Sequence, residues 1–356
     1  MKNMKKTILL GLFAGALLAT SCCGRGALPR ASEEVQARFA EAGDQVFDDV
    51  WGVACDQLHS LMILKDGEVV YERWATGRTP EELNILWSAS KTFTALGVGF
   101  AAQDGLLTVE DKVVDYFTDE ELPAERSEWL QEMTLWDLLV MSSGIGSDFI
   151  GPAQCRNFDG WAQKTLASEI VFEPGTRYAY NSMNTYLLSV IVSRVTGEKL
   201  VDYLDRKLFT PLGIEDFIWE ESPEGYNSGG WGLFLPTESL AKAGQFMLQK
   251  GVWNGKQLLN EEWIADATSA QIMQSIGLNR SEEELARLKA ENDWEQGYGY
   301  QMWLCRHGAV RFDGAWGQFC IIFPEKNAVV VALSHSGNTP RILNSIWTNI
   351  LPVLEH

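Results

Sequence analysis

Histidine is scarce in this 356-residue chain. The four, His59, His307, His335 and His356, are scattered and match no metal-ligating spacing. Cysteine is nearly as sparse. Beyond the adjacent Cys22 and Cys23 there are only Cys55, Cys155, Cys305 and Cys320, again without a metal motif, so no metal and no organic cofactor is expected. Basic residues are outnumbered, 29 against 48 acidic ones, for a net charge of −19. Such a surface repels phosphate backbones, which excludes nucleic acid as a natural partner. There is no Gly-x-Ser-x-Gly elbow, no phosphate-binding loop and no internal repeat. After the N-terminal segment no apolar run is long enough for a membrane helix. What remains is ordinary globular composition, 46% hydrophobic and 22% charged, enough for one large domain or two smaller ones.

The N-terminus reads as an address. Lys2, Lys5 and Lys6 precede an apolar run of 12 residues from Ile8 to Ala19, the form of a signal peptide over residues 1–21. Leu18-Ala-Thr-Ser-Cys22 resembles a bacterial lipobox, with Cys22 as the acylated residue. The expected product is an exported cell-envelope lipoprotein of the periplasm or outer membrane, touching the membrane only through its lipid anchor. A soluble periplasmic protein left by plain signal cleavage is the alternative. Residues 22–38 read as a polar tether and 39–356 as the folded domain. In an oxidising compartment disulfides are possible. Cys305 and Cys320 could face each other across strands, or remain free buried thiols.

Asp66-Gly67 between the apolar runs Leu61–Leu64 and Val69–Tyr71 predicts a hairpin. Helices are predicted from Ser88 to about Gln103, from Leu135 to Met141 and from about Met183 to Thr196, with Ser281 and Glu284 boxing the start of a polar helix over 282–290. Strands are predicted over 298–305, 310–313, 318–323 and 328–334, before a closing helix that starts at Thr339-Pro340. Strands at both ends and helices between them predict an α/β + α fold. The terminal segments (about 39–105 and 295–356) form an antiparallel sheet flanked by helices, and an all-helical lobe (about 106–294) is inserted. A cleft between the lobes is the natural site for chemistry.

Ser88-Ala-Ser-Lys91 places a hydroxyl and an amine at i and i+3, on one helix face. Burial favours the neutral amine, which can then take the serine proton, and the helix N-terminus favours the charge that develops. Four residues are a weak motif, because Ser239-Leu-Ala-Lys242 repeats it; there an ordinary helix start with a surface lysine is expected. Asp111, Asp115 and Asp137 read as helix caps or solvated charges, and Trp231 and Trp316 as core or cleft lining.

The surroundings of Ser88 separate the two copies. Ile85-Leu-Trp-Ser-Ala-Ser-Lys-Thr-Phe-Thr-Ala-Leu-Gly97, followed by Asp104-Gly-Leu-Leu-Thr-Val-Glu-Asp111, resembles the active-site helix of the class C β-lactamase-like serine hydrolases, a family that includes D,D-carboxypeptidases, esterases and a nylon-oligomer amide hydrolase. The segments ending in Ser142-Ser143-Gly144, at Phe172-Glu-Pro-Gly-Thr-Arg-Tyr-Ala-Tyr-Asn-Ser182, at Gly229–Pro236, at Gly297–Tyr300 and at Gly314–Pro324 are similar to the family's in the same order. The resemblance implies a β-lactamase/transpeptidase-like fold with Ser88 as nucleophile and Lys91 and Tyr180 as proton carriers. It further implies that Ser182 orients Lys91 and that the Ser88 and Ala315 amides form the oxyanion hole beside Gly314. Tyr178 competes with Tyr180, but in that register Tyr180 stands where a small polar residue belongs.

The chain departs from the family at Phe312-Asp313-Gly314, where Lys-Thr-Gly or His-x-Gly is usual. Without a cation there, a substrate carboxylate is held less well, which favours a small-molecule or peptide-like ester or amide over a β-lactam. His335-Ser-Gly337 spells the family pattern one strand too late. Two rivals remain: a true β-lactamase or D,D-carboxypeptidase, and a non-catalytic envelope binding module.

Overall fold

A computed structural model describes residues 26–50, 57–146 and 159–355. The predicted leader, Cys22, Cys55 and Cys155 lie outside the described residues.

The sheet is built from both ends of the chain. Its strands are β1 (Gln57–Lys65), β2 (Glu68–Trp74), β3 (Trp303–Leu304), β4 (Val310–Gly314), β5 (Gln318–Phe323) and β6 (Ala328–His335). They lie in the order β2-β1-β6-β5-β4-β3, and every neighbouring pair is antiparallel. The β1–β2 hairpin turns at Asp66 and Gly67 with φ of 54° and 85°, the conformation the Asp-Gly pair favours. The strand predicted over 298–305 shrinks to two residues.

Side chains alternate across the sheet, so each face has its own core. Leu61, Ile63, Phe319, Ile321, Val330 and Ala332 pack against helix α1 (Glu33–Val50) and the closing helix after Thr339. Met62, Leu64, Cys320, Ile322, Val329 and Val331 face the other way, into the larger core with Phe93, Leu96, Leu240 and Phe246. Helix α2 (Ser90–Gln103) runs through that second core and is buried from Ser90 to Ala101.

The architecture is the expected antiparallel sheet with flanking helices, with three corrections. First, the stretch read as a tether is packed from the start of the described chain: Leu28 and Ala31 are buried, Arg30 bridges Glu72 and Glu238, and α1 begins at Glu33. The polar composition that suggested a tether reflects charges used in ion pairs. Second, the helix Thr237–Leu248, assigned to the inserted lobe, lies against the sheet. Ser60 Oγ is 2.8 Å from Thr237 Oγ1, and a Cβ on Gly244 would come 2.5 Å from Cys320 Sγ. Third, the inserted region is not all-helical, because its strands Ile218–Trp219 and Leu233–Leu235 form a small sheet with Asn84–Ile85 of the N-terminal segment.

Cys305 and Cys320 are both free and buried. Cys320 stands opposite Phe312, which rules out the cross-strand bridge between them.

Candidate active site

Ser88 sits in a single 3-10 turn, Trp87–Ala89, that feeds directly into α2. Trp87 has φ of 48°, a left-handed conformation uncommon for a bulky residue, just before the candidate nucleophile. The turn is tied down on both sides: Leu86 N donates to Leu233 O at 2.8 Å, and Leu233 N donates to Ser90 Oγ at 3.1 Å. The family-like segment around Gly229–Pro236 is therefore the frame of the serine turn.

Lys91 is 1% exposed, and three oxygens converge on its amine. Nζ lies 3.2 Å from Ser88 Oγ, 3.1 Å from Ser182 Oγ and 2.7 Å from Gly230 O, to which it donates. It is also 4.8 Å from the centroid of the Tyr180 ring. Ser88, Lys91, Tyr180 and Ser182, distant in sequence, thus meet in one place.

Local chemistry explains the approach of Tyr180 and Ser182. Helix α3 (Leu135–Leu139) is started by a capping box between Thr134 and Asp137. That is the cap role expected of Asp137, although the carboxyl is buried. Asp111 likewise closes a turn, accepting from Thr108 and Tyr116. Beyond α3, Ala179 N donates to Met141 O at 2.7 Å and Gly175 N to Ser142 O at 2.9 Å, which presses the Tyr178–Ser182 segment against the helix exit. Asn181 then caps helix α4 (Ser182–Thr196) by accepting from Met183 N at 2.9 Å.

Of the competing tyrosines, Tyr180 is the one at the amine. It is half-buried and stacks on Trp303, with centroids 5.9 Å apart. Tyr178 faces away, edge-on to Tyr298 at 5.4 Å, and its buried hydroxyl has no hydrogen-bond partner among the described residues. Burial drives the Tyr178 phenol far above its ordinary pKa, which makes it a poor proton carrier.

Gly314 ends β4 against the serine turn. A Cβ there would lie 2.1 Å from Leu86 O and 3.2 Å from Ala89 N, so only glycine permits the approach of β4 to the serine turn. Phe312, where a cation is usual, is fully buried and edge-on to Phe93 at 5.7 Å. Asp313 is ion-paired at 2.8 Å to Arg311, which is itself buried, with its guanidinium over the rings of Trp294 and Trp303. Burial raises the Asp313 carboxyl above the usual carboxylate range, and Arg311 opposes that only in part. A cation thus lies one residue before the motif, where the sequence reading did not look, and a carboxylate already occupies it.

The second Ser-x-x-Lys lies on the sheet-packed helix. Lys242 is not the surface lysine expected: it is 6% exposed and donates to Gly213 O at 2.6 Å. Burial lowers its pKa, but its bond goes to that carbonyl, and no hydrogen bond to Ser239 occurs among the described residues. His335 ends β6, stacked on the exposed Trp316 at 4.6 Å, one strand beyond the motif position as expected. Trp231 is core.

Sequence reasoning missed the carbonyl of Gly230 and the side chain of Gln301. Adjacent glycines in a motif segment are a signal that a backbone approaches something closely, but not what it approaches.

Known proteins resemble this chain in sequence and in fold. The family model described as Beta-lactamase matches residues 49–355. The 6-aminohexanoate-dimer hydrolase of Paenarthrobacter ureafaciens is 24% identical over 293 residues, 77% of this chain and 72% of that protein. The D-aminopeptidase of Brucella anthropi is 29% identical over 72% of this chain and 51% of its own length. Among solved structures, the octameric penicillin-binding protein homologue from Pyrococcus abyssi superposes with a TM-score of 0.63 at 20% identity, covering 90% of this chain and 77% of that one.

Proposed function

The chain belongs to the Beta-lactamase family, and from that premise we propose that it is a serine hydrolase that cleaves an amide or ester through an acyl-enzyme on Ser88. The observation that carries this reading is the buried Lys91 amine, 3.2 Å from Ser88 Oγ and 3.1 Å from Ser182 Oγ.

In the proposed reaction the deprotonated Lys91 takes the Ser88 proton as Oγ bonds to the substrate carbonyl carbon. The amides of Ser88 and Ala315 hold the oxyanion. Tyr180, its ring beside the amine, returns the proton to the leaving amine or alcohol as the C–N or C–O bond breaks. Water then attacks the acyl carbon and gives its proton to the same pair, which passes it to Ser88 Oγ as the acyl–Oγ bond breaks and the acid leaves. Ser182 and Gly230 O fix the direction of the amine.

Phe312 and the Arg311–Asp313 pair support a substrate that presents no carboxylate to β4. That favours a small-molecule or peptide-like ester or amide. The relatives that hydrolyse a 6-aminohexanoate dimer or a D-amino peptide support the same breadth by name. Export and a lipid anchor on Cys22 are part of this proposal. They rest on the sequence of residues 1–22 alone.

The test is intact-mass spectrometry after exposure to p-nitrophenyl acetate and, separately, to nitrocefin. An acyl adduct or turnover with the ester that disappears in Ser88→Ala supports the reading. Turnover of nitrocefin at comparable rate transfers it to a β-lactamase. A wild-type protein that neither turns over nor labels with a fluorophosphonate is a binding module.

A further inference from the structure

Lys91, Tyr180 and Ser182 sit on three separate elements, so something must hold α2, α4 and the exit of α3 in register to fractions of an ångström. One residue touches all three. Gln301 is 3% exposed and lies between the short strand at Trp303 and Tyr298–Tyr300. Its carbonyl accepts from Thr92 Oγ1 at 3.0 Å, and Thr92 is the residue directly after Lys91. Its side-chain Oε1 accepts from Thr185 Oγ1 at 2.6 Å, one turn along α4 from Ser182. Its Nε2 donates to Leu138 O at 3.0 Å and Leu139 O at 2.7 Å, and its backbone N also donates to Leu139 O, at 3.1 Å. Those carbonyls close α3, where the helix leaves its last acceptors without intrahelical donors; Leu138 O also accepts from Met141 N at 3.4 Å.

The backbone gives independent support. Gln301 has φ of 57°. Among described non-glycine residues with positive φ, only Gln301 and Met141 are buried; the others, apart from the half-buried Trp87, are exposed. Glutamine gains nothing from that conformation by itself, so its surroundings must impose it, as happens where a site needs exact placement. Met141 follows α3 and receives the Ala179 amide, so the two buried outliers flank the same helix exit. Two residues beyond Gln301, Trp303 stacks on the Tyr180 ring. Gln301 itself therefore bonds to residues beside the proposed proton carriers, and its segment reaches Tyr180 directly through Trp303.

We propose that Gln301 is the positioning residue of this site: by bonding α2, α4 and the end of α3 at once, it sets the Lys91–Ser182 separation and the seat of Tyr180. The proposal rests on the Ser88 acyl-enzyme reading. A network of this kind is fully satisfied and confined to one geometry, so removing its centre shifts the helices relative to each other rather than emptying the substrate site.

The test uses Gln301→Leu, which keeps the volume and the two backbone bonds but loses all three side-chain bonds, and Thr185→Val, which removes one hydroxyl at nearly constant shape. Active protein is counted by fluorophosphonate labelling, and p-nitrophenyl acetate turnover is followed against pH. Displacing catalytic groups by about an ångström costs about 10²-fold in rate. Gln301→Leu should therefore lose kcat on that scale with KM little changed, and the rising limb of its kcat/KM–pH profile should move because the amine and phenol have new surroundings. Thr185→Val should show a smaller loss in the same direction. Gln301→Gly relieves the positive φ yet lacks the side chain, and should be as impaired as the leucine variant. Folded, labelled variants with wild-type kcat and an unmoved pH limb overturn the proposal, and if Gln301→Leu does not fold, Thr185→Val alone decides it. If the wild type itself does not label, the Ser88 reading falls and this one with it. A labelled wild type with unchanged variants removes this one only.

Discussion

Gly230→Ala isolates the carbonyl that the sequence did not reveal. Gly230 is not in the left-handed region, so alanine meets no backbone penalty there; only contact matters. The added Cβ would lie 2.8 Å from Ser182 O, 3.2 Å from Ser182 Cβ and 3.5 Å from Lys91 Nζ. A carbon and a carbonyl oxygen rest at about 3.3 Å or more, so the two backbones must part by about 0.5 Å. Both belong to the cradle of the amine, whose bonds to Gly230 O and Ser182 Oγ are 2.7 Å and 3.1 Å long. If a full ångström costs about 10²-fold, half of that costs about tenfold in kcat, or about 1.4 kcal/mol of barrier. Stability should barely change. Overpacking costs about 1 kcal/mol, and the lost freedom of glycine in the unfolded chain returns a similar amount. The assay is ester turnover normalised to fluorophosphonate-labelled enzyme, with thermal denaturation alongside. A variant with wild-type kcat would refute the claim that Gly230 positions the amine. So would a loss of activity that appears only through unfolding.

Phe312→Lys, which restores the family's usual cation, should not create a β-lactamase. The side chain is fully buried against Phe93, so an unpaired ammonium there costs several kcal/mol and should lower the urea midpoint sharply, without a gain in nitrocefin turnover. Asp293→Asn should flatten the acid limb of stability. Burial pushes that carboxyl up, but bonds from Arg306 and Trp347 outweigh burial and hold it below its ordinary value. Its contribution, about 2 kcal/mol for charge-assisted bonds, is therefore complete above the usual carboxylate pKa and disappears as pH falls through the lowered one. Urea midpoints measured across that window should converge for the two proteins at the acid end; a constant gap would contradict the sign. Ser239→Ala should leave fluorophosphonate labelling intact, whereas Ser88→Ala abolishes it; loss of label in the former would make the second Ser-x-x-Lys the site.

The hairpin at Asp66-Gly67, the short helix from Leu135, the helix that ends at Thr196 and the i, i+3 pairing of Ser88 with Lys91 were all legible because each is settled within a few residues. Turn chemistry, capping and helical spacing are local, and the residues that decide them are adjacent in the chain. Order along the chain also carried the second motif, since the flanks of Ser182 select Tyr180 over Tyr178.

Tertiary structure decided the rest. Polar composition cannot distinguish a solvated tether from Arg30 bridging Glu72 and Glu238, because both use the same residues. An amphipathic helix such as Thr237–Leu248 announces that it has an apolar face, but not which lobe receives it. The carbonyl of Gly230 and the amide of Gln301 are invisible in principle: the first is backbone, the same at every residue, and the second is one ordinary glutamine whose partners, Thr92, Leu138, Leu139 and Thr185, come from three segments that meet only when the sheet and helices close on one another. Local spacing could name the hydroxyl and the amine. The bonds that join that amine to Ser182 Oγ and Gly230 O belong to long-range packing, and no short stretch of chain contains them.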